Sequence, residues 1–226
     1  MRIKSFLNLT TRIFKRLYLG PFDNFLRNVN GVIHIGANEG QEREHYKKYN
    51  INRVLWIEAD PNVFKKLKKN ISKYKNHIAI NYLILDKSQK TKFNISNAEG
   101  NASSVLNLLK HKEMYPEIKF IKRITIQGYT FALVVKREGI NIKNYQALIL
   151  DTQGSELMIL KGANKLLNNF KYIKLECADF EIYKSSPTVK EISKYLKKFN
   201  FKEKKRIKID ENKKNQNVYD VLYSSI

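Results

Sequence analysis

Cysteine is nearly missing from this chain: Cys177 is the only one in 226 residues. No intrachain disulfide can form, which points to a reducing interior. Long apolar runs are missing too, and no stretch approaches the roughly 18 residues a membrane span requires. The N-terminus shows neither the compact apolar block nor the small-residue cleavage site of a secretory signal. Together these absences predict a cytoplasmic protein. The four histidines carry no zinc-ligand spacing, and Cys177 has no helix or histidine motif beside it that would activate a thiol. Acids are scarce, 21 against 43 lysines and arginines, for a net charge of +22.

That charge invites a nucleic-acid partner, because clustered lysines neutralise phosphates and release counterions. Against this, the excess is lysine far more than arginine and comes with abundant Asn and Ile, as an AT-rich coding bias produces. The lysines are also spread along the chain rather than gathered into one stripe. An acidic glycan or an anionic membrane surface would be drawn by the same field.

What is present reads as one α/β domain. Hydrophobic residues make up 42% and aromatics 12%, an ordinary globular balance, and the length can bury a full sheet with helices on both faces. Residues 1–28 have no acid before Asp23, and Phe6, Leu9, Ile13 and Leu17 recur at helical spacing among Lys4, Arg12, Lys15 and Arg16. This is a basic amphipathic segment. It fits a helix that caps the sheet or contacts another copy before it fits peripheral membrane contact through residues 1–19.

From residue 29 to 226 strand and helix patterns alternate, which predicts a mostly parallel sheet with crossover helices. Strands are expected at 31–35, 53–57, 77–85, 147–150 and 172–175, with further ones near 93–95 and 123–126. Helices are expected at 42–50, after Asp60-Pro61, from about Ser104, near 129–138, from Ser155, and after Ser186-Pro187. Residues 204–209 and 218–223 flank a polar loop and suit a closing antiparallel hairpin.

In open parallel sheets ligands bind beyond the carboxyl ends of the strands. Gly36, Glu58, Asp86, Asp151 and Glu176 all fall at such ends. The turn Gly36-Ala37-Asn38-Glu39-Gly40 is the sharpest signal. Its glycines permit positive φ and close ligand approach, but a dinucleotide site would need G-x-G-x-x-G for a pyrophosphate, and the third glycine is absent. The turn therefore favours a ligand without phosphates, with Asn38 able to donate and accept hydrogen bonds. Glu58, about 20 residues on, stands where an acid takes both hydroxyls of an adenosine ribose. Beside it is Ala59. Asp86 is placed near the adenine, or is a turn aspartate. Asp151 ends a central strand, where a carboxylate could accept a proton from a hydroxyl, or could only orient a ligand or cap the next helix. Ser103 and Ser104 read as a helix cap or as substrate contacts. Glu176 and Asp179 could join Asp151 around a hard cation, but without ligand spacing no metal site is assigned.

Four segments in order resemble the FkbM family of methyltransferases: Val32-Ile33-His34-Ile35-Gly36-Ala37-Asn38-Glu39-Gly40-Gln41-Glu42, Leu55-Trp56-Ile57-Glu58-Ala59-Asp60-Pro61, Asp151-Thr152-Gln153-Gly154-Ser155-Glu156-Leu157 with Leu160-Lys161-Gly162-Ala163, and Glu176-Cys177-Ala178-Asp179-Phe180-Glu181-Ile182-Tyr183. The resemblance spans about residues 30 to 201. It implies a Rossmann-like class I methyltransferase fold, S-adenosylmethionine as methyl donor, and usually O-methylation, often of sugars or secondary metabolites. It places Gly36, Asn38 and Gly40 on the cofactor's methionine end, Glu58 on its ribose and Asp151 at the active-site edge. Two departures stand out: His34 occupies a position where many members have aspartate, and Ile126-Gln127-Gly128-Tyr129-Thr130 lacks the usual Thr-Leu-Asp.

The expected function is methylation of a hydroxyl on a sugar, glycan or small metabolite. A nucleic-acid methyltransferase is the alternative. The chain lacks the Asn/Asp-Pro-Pro-Tyr/Phe signature of amino-group methylation and the Pro-Cys pair of cytosine C5 chemistry. A non-catalytic adenosine-binding scaffold is a third reading.

Overall fold

The structure is a computed structural model that describes residues 20–98 and 100–226. The amphipathic pattern at 1–19 lies outside the described residues. A 3-10 helix, Gly20–Asn28, leads into ten strands: β1 Gly31–Ile35, β2 Arg53–Glu58, β3 His77–Asn81, β4 Leu83–Leu85, β5 Gln89–Ser96, β6 Phe120–Thr130, β7 Ala147–Leu150, β8 Tyr172–Ala178, β9 Phe201–Glu211 and β10 Asn217–Ser225. Between them run α1 Arg43–Lys48, α2 Pro61–Ile71, α3 His111–Met114, α4 Phe131–Arg137, α5 Glu156–Ala163 and α6 Val189–Leu196.

Seven strands form the main sheet in the order β3-β2-β1-β7-β8-β10-β9. β1 pairs in parallel with both β2 and β7, while β10 runs antiparallel to β8 and β9. The order reverses between β1 and β7, which puts a crevice at their carboxyl ends. A smaller sheet, β4-β6-β5, stands beside it.

Both faces of the main sheet are covered, as the apolar runs of its central strands require. Alternate residues point opposite ways. Ile33, Leu55, Leu148 and Ile173 pack with Phe131, Val134, Leu160 and Ile192 from α4, α5 and α6. Val32, Val54, Trp56 and Ile149 pack with Tyr46, Leu67 and the 3-10 helix residues Phe22, Phe25 and Leu26 on the other face. Phe22, Phe25, Leu26 and Val29 are therefore part of the core.

Local signals set many boundaries. Asp60 caps α2, its carboxylate accepting the N–H groups of Asn62 and Val63, with Pro61 at the first helical position. β1, β7, α4 and the β9–β10 hairpin form where the sequence pattern puts them.

Several expectations are corrected. The single strand at 77–85 is two: Tyr82 donates its N–H to the Glu58 carbonyl, and beyond it β4 leaves the main sheet to pair with β6. No helix starts at Ser104, which instead pairs with Asn94 across a short antiparallel bridge. Glu176 lies within β8 opposite Asp220 rather than at a strand end, because the antiparallel β10 extends the ladder to Ala178. Thr188, not Ser186, caps α6, in a reciprocal capping box with Glu191.

Candidate active site

The turn between β1 and α1 is bound to the end of β2. Gly36 and Ala37 donate their N–H groups to the Ile57 carbonyl at 2.9 and 3.1 Å, and Asn38 donates its N–H to Glu58 Oε2 at 2.8 Å. Gly36 and Asn38 adopt positive φ, 80° and 46°. At Gly36 a Cβ would also stand 1.9 Å from the Asp151 carbonyl oxygen. No side chain fits there, so glycine is demanded twice over.

Glu58 is buried. Its Oε1 accepts the Asp60 N–H at 2.8 Å. Burial pushes its carboxyl up to about 7, although hydrogen bonds from the Asp60 and Asn38 backbones pull the other way. The carboxylate is thus desolvated, yet fixed in direction by two backbone donors.

Asp151 follows β7, with its N–H on the Ile35 carbonyl. Its Oδ1 accepts Gln153 Nε2 at 2.9 Å. Gln153 is held from two sides: Tyr183 donates its hydroxyl to Gln153 Oε1 at 2.6 Å, and Ser104 Oγ donates to the Gln153 carbonyl at 2.8 Å. Glu156, buried at the start of α5, accepts the N–H groups of Thr152 and Gly154 and the Thr152 hydroxyl. Burial pushes its carboxyl up to about 7 as well. This loop is therefore rigidly braced.

The turn after β1, the end of β2 and the loop after β7 border one cleft of about 610 Å³, part of it open to solvent. Gly36, Asn38, Glu58, Ala59 and Asp151 line it. Residues from β5 and the loop at 100–105 cover one side: Asn101 Oδ1 accepts Asn38 Nδ2 at 2.6 Å, and Phe93, Ser103 and Val105 join the lining. Asn38 Oδ1 is buried without a hydrogen-bond partner among the described residues. A buried acceptor of that kind calls for a donor, such as an ammonium group.

Four expected contacts fall outside the cleft lining. Ala37 is buried in the core with Val32 and Trp56. Glu39 turns outward to Lys66, 2.6 Å away. Gly40, at φ 71°, packs beneath Leu67 and Ile71. Asp86 is exposed after β4, its backbone close to Gly162, because β4 departs from the main sheet. His34 is buried too, its Nδ1 2.9 Å from the Tyr46 hydroxyl and its ring stacked on Trp56. Asp179 does not approach Asp151; it binds Asn217 and Tyr219.

Gln153, Tyr183 and Asn101 were not legible as site residues. Gln153 and Tyr183 do fall within two of the segments that resemble the family, but nothing in the sequence assigns either a role in the site. Asn101 comes from a distant segment, and nothing local marks it.

The FkbM methyltransferase domain matches residues 34–203. A 2-O-methyltransferase NoeI of Sinorhizobium fredii is 21% identical over 175 residues, covering 74% of this chain and 71% of that protein. Among solved structures, M. capricolum TrmK in complex with S-adenosyl-homocysteine superposes with a TM-score of 0.51 at 11% identity, over 89% of this chain and 66% of that one. The B. subtilis m1A22 tRNA methyltransferase TrmK gives 0.50 at 8% identity, over 89% and 62%. These structural likenesses show the class I methyltransferase fold. The strand order, the glycine turn tied to an acid one strand over, and the matched domain agree: the chain belongs to the FkbM methyltransferase family and draws its methyl group from S-adenosylmethionine.

Proposed function

We propose that this enzyme methylates a hydroxyl group on a sugar, glycan or small metabolite. One observation carries the reading: Asp151, a carboxylate, lines the same cleft as Gly36, Asn38 and Glu58. A hydroxyl becomes a competent nucleophile only as it loses its proton, and a carboxylate within hydrogen-bond reach is suited to accept it. The bound cofactor supplies an electrophilic methyl group on a sulfonium. Glu58 would hold the ribose hydroxyls and Asn38 the methionine end, its Oδ1 accepting from the ammonium. Ile57, Leu83 and Phe93 offer an apolar wall for the base. Gln153 would hold Asp151 in place for the acceptor. The likeness to a 2-O-methyltransferase supports oxygen as the atom methylated.

Calorimetric titration with S-adenosylmethionine tests the cofactor assignment: binding is expected, and Glu58→Ala should weaken it. No binding by the wild type, or unchanged binding by the variant, would sink it. Label transfer from methyl-tritiated cofactor separates the enzyme from a non-catalytic scaffold.

The net charge of +22 favours a second reading, methylation of a nucleic acid. Salt-sensitive retention of tRNA would support it, and no retention at low salt would remove it. The basic amphipathic pattern of residues 1–19 supports peripheral contact with an anionic membrane surface. Among the described residues no helix is long and apolar enough to cross a membrane.

A further inference from the structure

We propose that Asn101, in the loop at 100–105, is a cofactor-binding residue whose amide nitrogen donates to the carboxylate at the amino-acid end of S-adenosylmethionine. Asn38 takes the ammonium beside it. This rests on the cofactor's proposed place in the cleft of Gly36, Glu58 and Asp151, and it supplies a partner for the one negative charge the cofactor carries.

The cleft offers that charge no cation. Among the described residues, Glu58 and Asp151 line it, but no lysine, arginine or histidine does. A carboxylate placed there must be met by neutral donors. The glycine turn has spent most of its own: the N–H groups of Gly36, Ala37, Asn38 and Gly40 are already given to protein oxygens. The lining side chains are largely committed as well. The hydroxyls of Tyr82, Thr152 and Ser155 donate to Glu138, Glu156 and the Thr152 carbonyl, and Gln153 Nε2 donates to Asp151. Of the rest, Ser103 Oγ accepts the Ser96 N–H, while Asn101 Nδ2 makes no hydrogen bond among the described residues.

Asn38 and Asn101 are bound to each other, Nδ2 of the first donating to Oδ1 of the second at 2.6 Å. That bond uses one nitrogen and one oxygen. What remains is the Asn38 oxygen, buried without a partner among the described residues, and the Asn101 nitrogen. An acceptor and a donor tied together in this way match an ammonium and a carboxylate borne on one carbon. Gly100 lets the loop come this close. At its φ of 90° a Cβ would stand 3.0 Å from Val63 Cγ2 and 3.1 Å from the Asn38 oxygen, so a larger residue would crowd the acceptor itself.

The test reads binding rather than turnover, by calorimetry on the full chain with two ligands. One is S-adenosylhomocysteine. The other is 5′-methylthioadenosine, which keeps the nucleoside and the sulfur but lacks the amino-acid end. Asn101→Asp is nearly isosteric and keeps an oxygen to accept from Asn38, but it sets negative charge where the donor stood. It should weaken S-adenosylhomocysteine more than about tenfold and leave methylthioadenosine unchanged. Asn101→Ala, which adds no charge, should weaken the first ligand about tenfold and again spare the second. Unchanged affinity for S-adenosylhomocysteine in both variants, or equal losses for the two ligands, overturns this inference alone. No binding of either ligand by the wild type, or unchanged binding of methylthioadenosine by Glu58→Ala, overturns the cofactor's placement and this inference with it.

Discussion

Glu58 Oε2 accepts the backbone N–H of Asn38 at 2.8 Å, so the acid that ends the second strand is bound directly to the turn that ends the first. Two residues twenty positions apart form one unit, and the carboxylate is oriented before any ligand arrives. Preorganisation of this kind strengthens binding by lowering the cost of ordering the site.

A pH dependence follows from that buried carboxyl. Its value of about 7 lies above the ordinary 4.5. Between those values the folded chain holds a proton that the unfolded chain has released, so this group's contribution to stability falls as pH rises through the window. Ribose hydroxyls donate to the ionised form, so cofactor affinity should rise from pH 6 to pH 8. Calorimetry across that range checks it. Glu58→Gln should flatten the slope, which separates Glu58 from Glu156, raised to about the same value but outside the cleft lining.

Asp151→Asn keeps the size of the side chain and removes its basicity. The expected result is a fall in kcat of about 10²–10⁴-fold, with cofactor affinity changed by less than about threefold. A variant of undiminished kcat would show that Asp151 only orients its neighbours.

Tyr183→Phe deletes the hydroxyl that holds Gln153, leaving Gln153 Oε1 without that donor. Freed from one side, Gln153 should position Asp151 less well and lower kcat more than it raises the cofactor KM. Stability should drop by about 0.5–1.5 kcal/mol, the net worth of one hydrogen bond whose acceptor is half-buried. Steady-state kinetics and denaturant unfolding measure the two effects independently.

Gly36→Ala should be the most damaging of these changes. The new Cβ would stand 1.9 Å from the Asp151 carbonyl oxygen, at a φ of 80°. Either the turn or the end of β7 must move, at about 1–3 kcal/mol or more. A lowered melting temperature together with lost cofactor binding is expected. Gly139→Ala makes a useful control. It shares a positive φ of 59° but has nothing within 4 Å of the added Cβ, so only its backbone strain should register.

Much of the site's frame was legible in the chain. Gly36, Glu58 and Asp151 could be placed at strand ends because β1, β2 and β7 are short, mostly apolar runs closed by a glycine or an acid, and Asp60-Pro61 marks the start of α2. Asp86 shows where the reasoning stopped. Residues 77–85 look like one strand because apolar character is all that local pattern reports. The break at Tyr82 is decided by its hydrogen bond to the Glu58 carbonyl and by the pairing of β4 with β6, a partner some 45 residues away. Ser104 was misread for the same reason, since its partner Asn94 cannot be inferred from spacing.

The sequence by itself determined the layered α/β architecture, the glycine turn, and the two acids that face the cleft, because periodicity, caps and strand ends are local properties carried within a dozen residues. Only the tertiary structure decided that Tyr183 braces Gln153 and Asp151, and that Asp23, Lys174 and Asp220 gather on one wall. Those contacts join residues 30 to 151 positions apart. They exist because burial of apolar faces packs the sheet and its helices in one arrangement, and polar groups carried inward must then find partners among whatever neighbours that packing supplies.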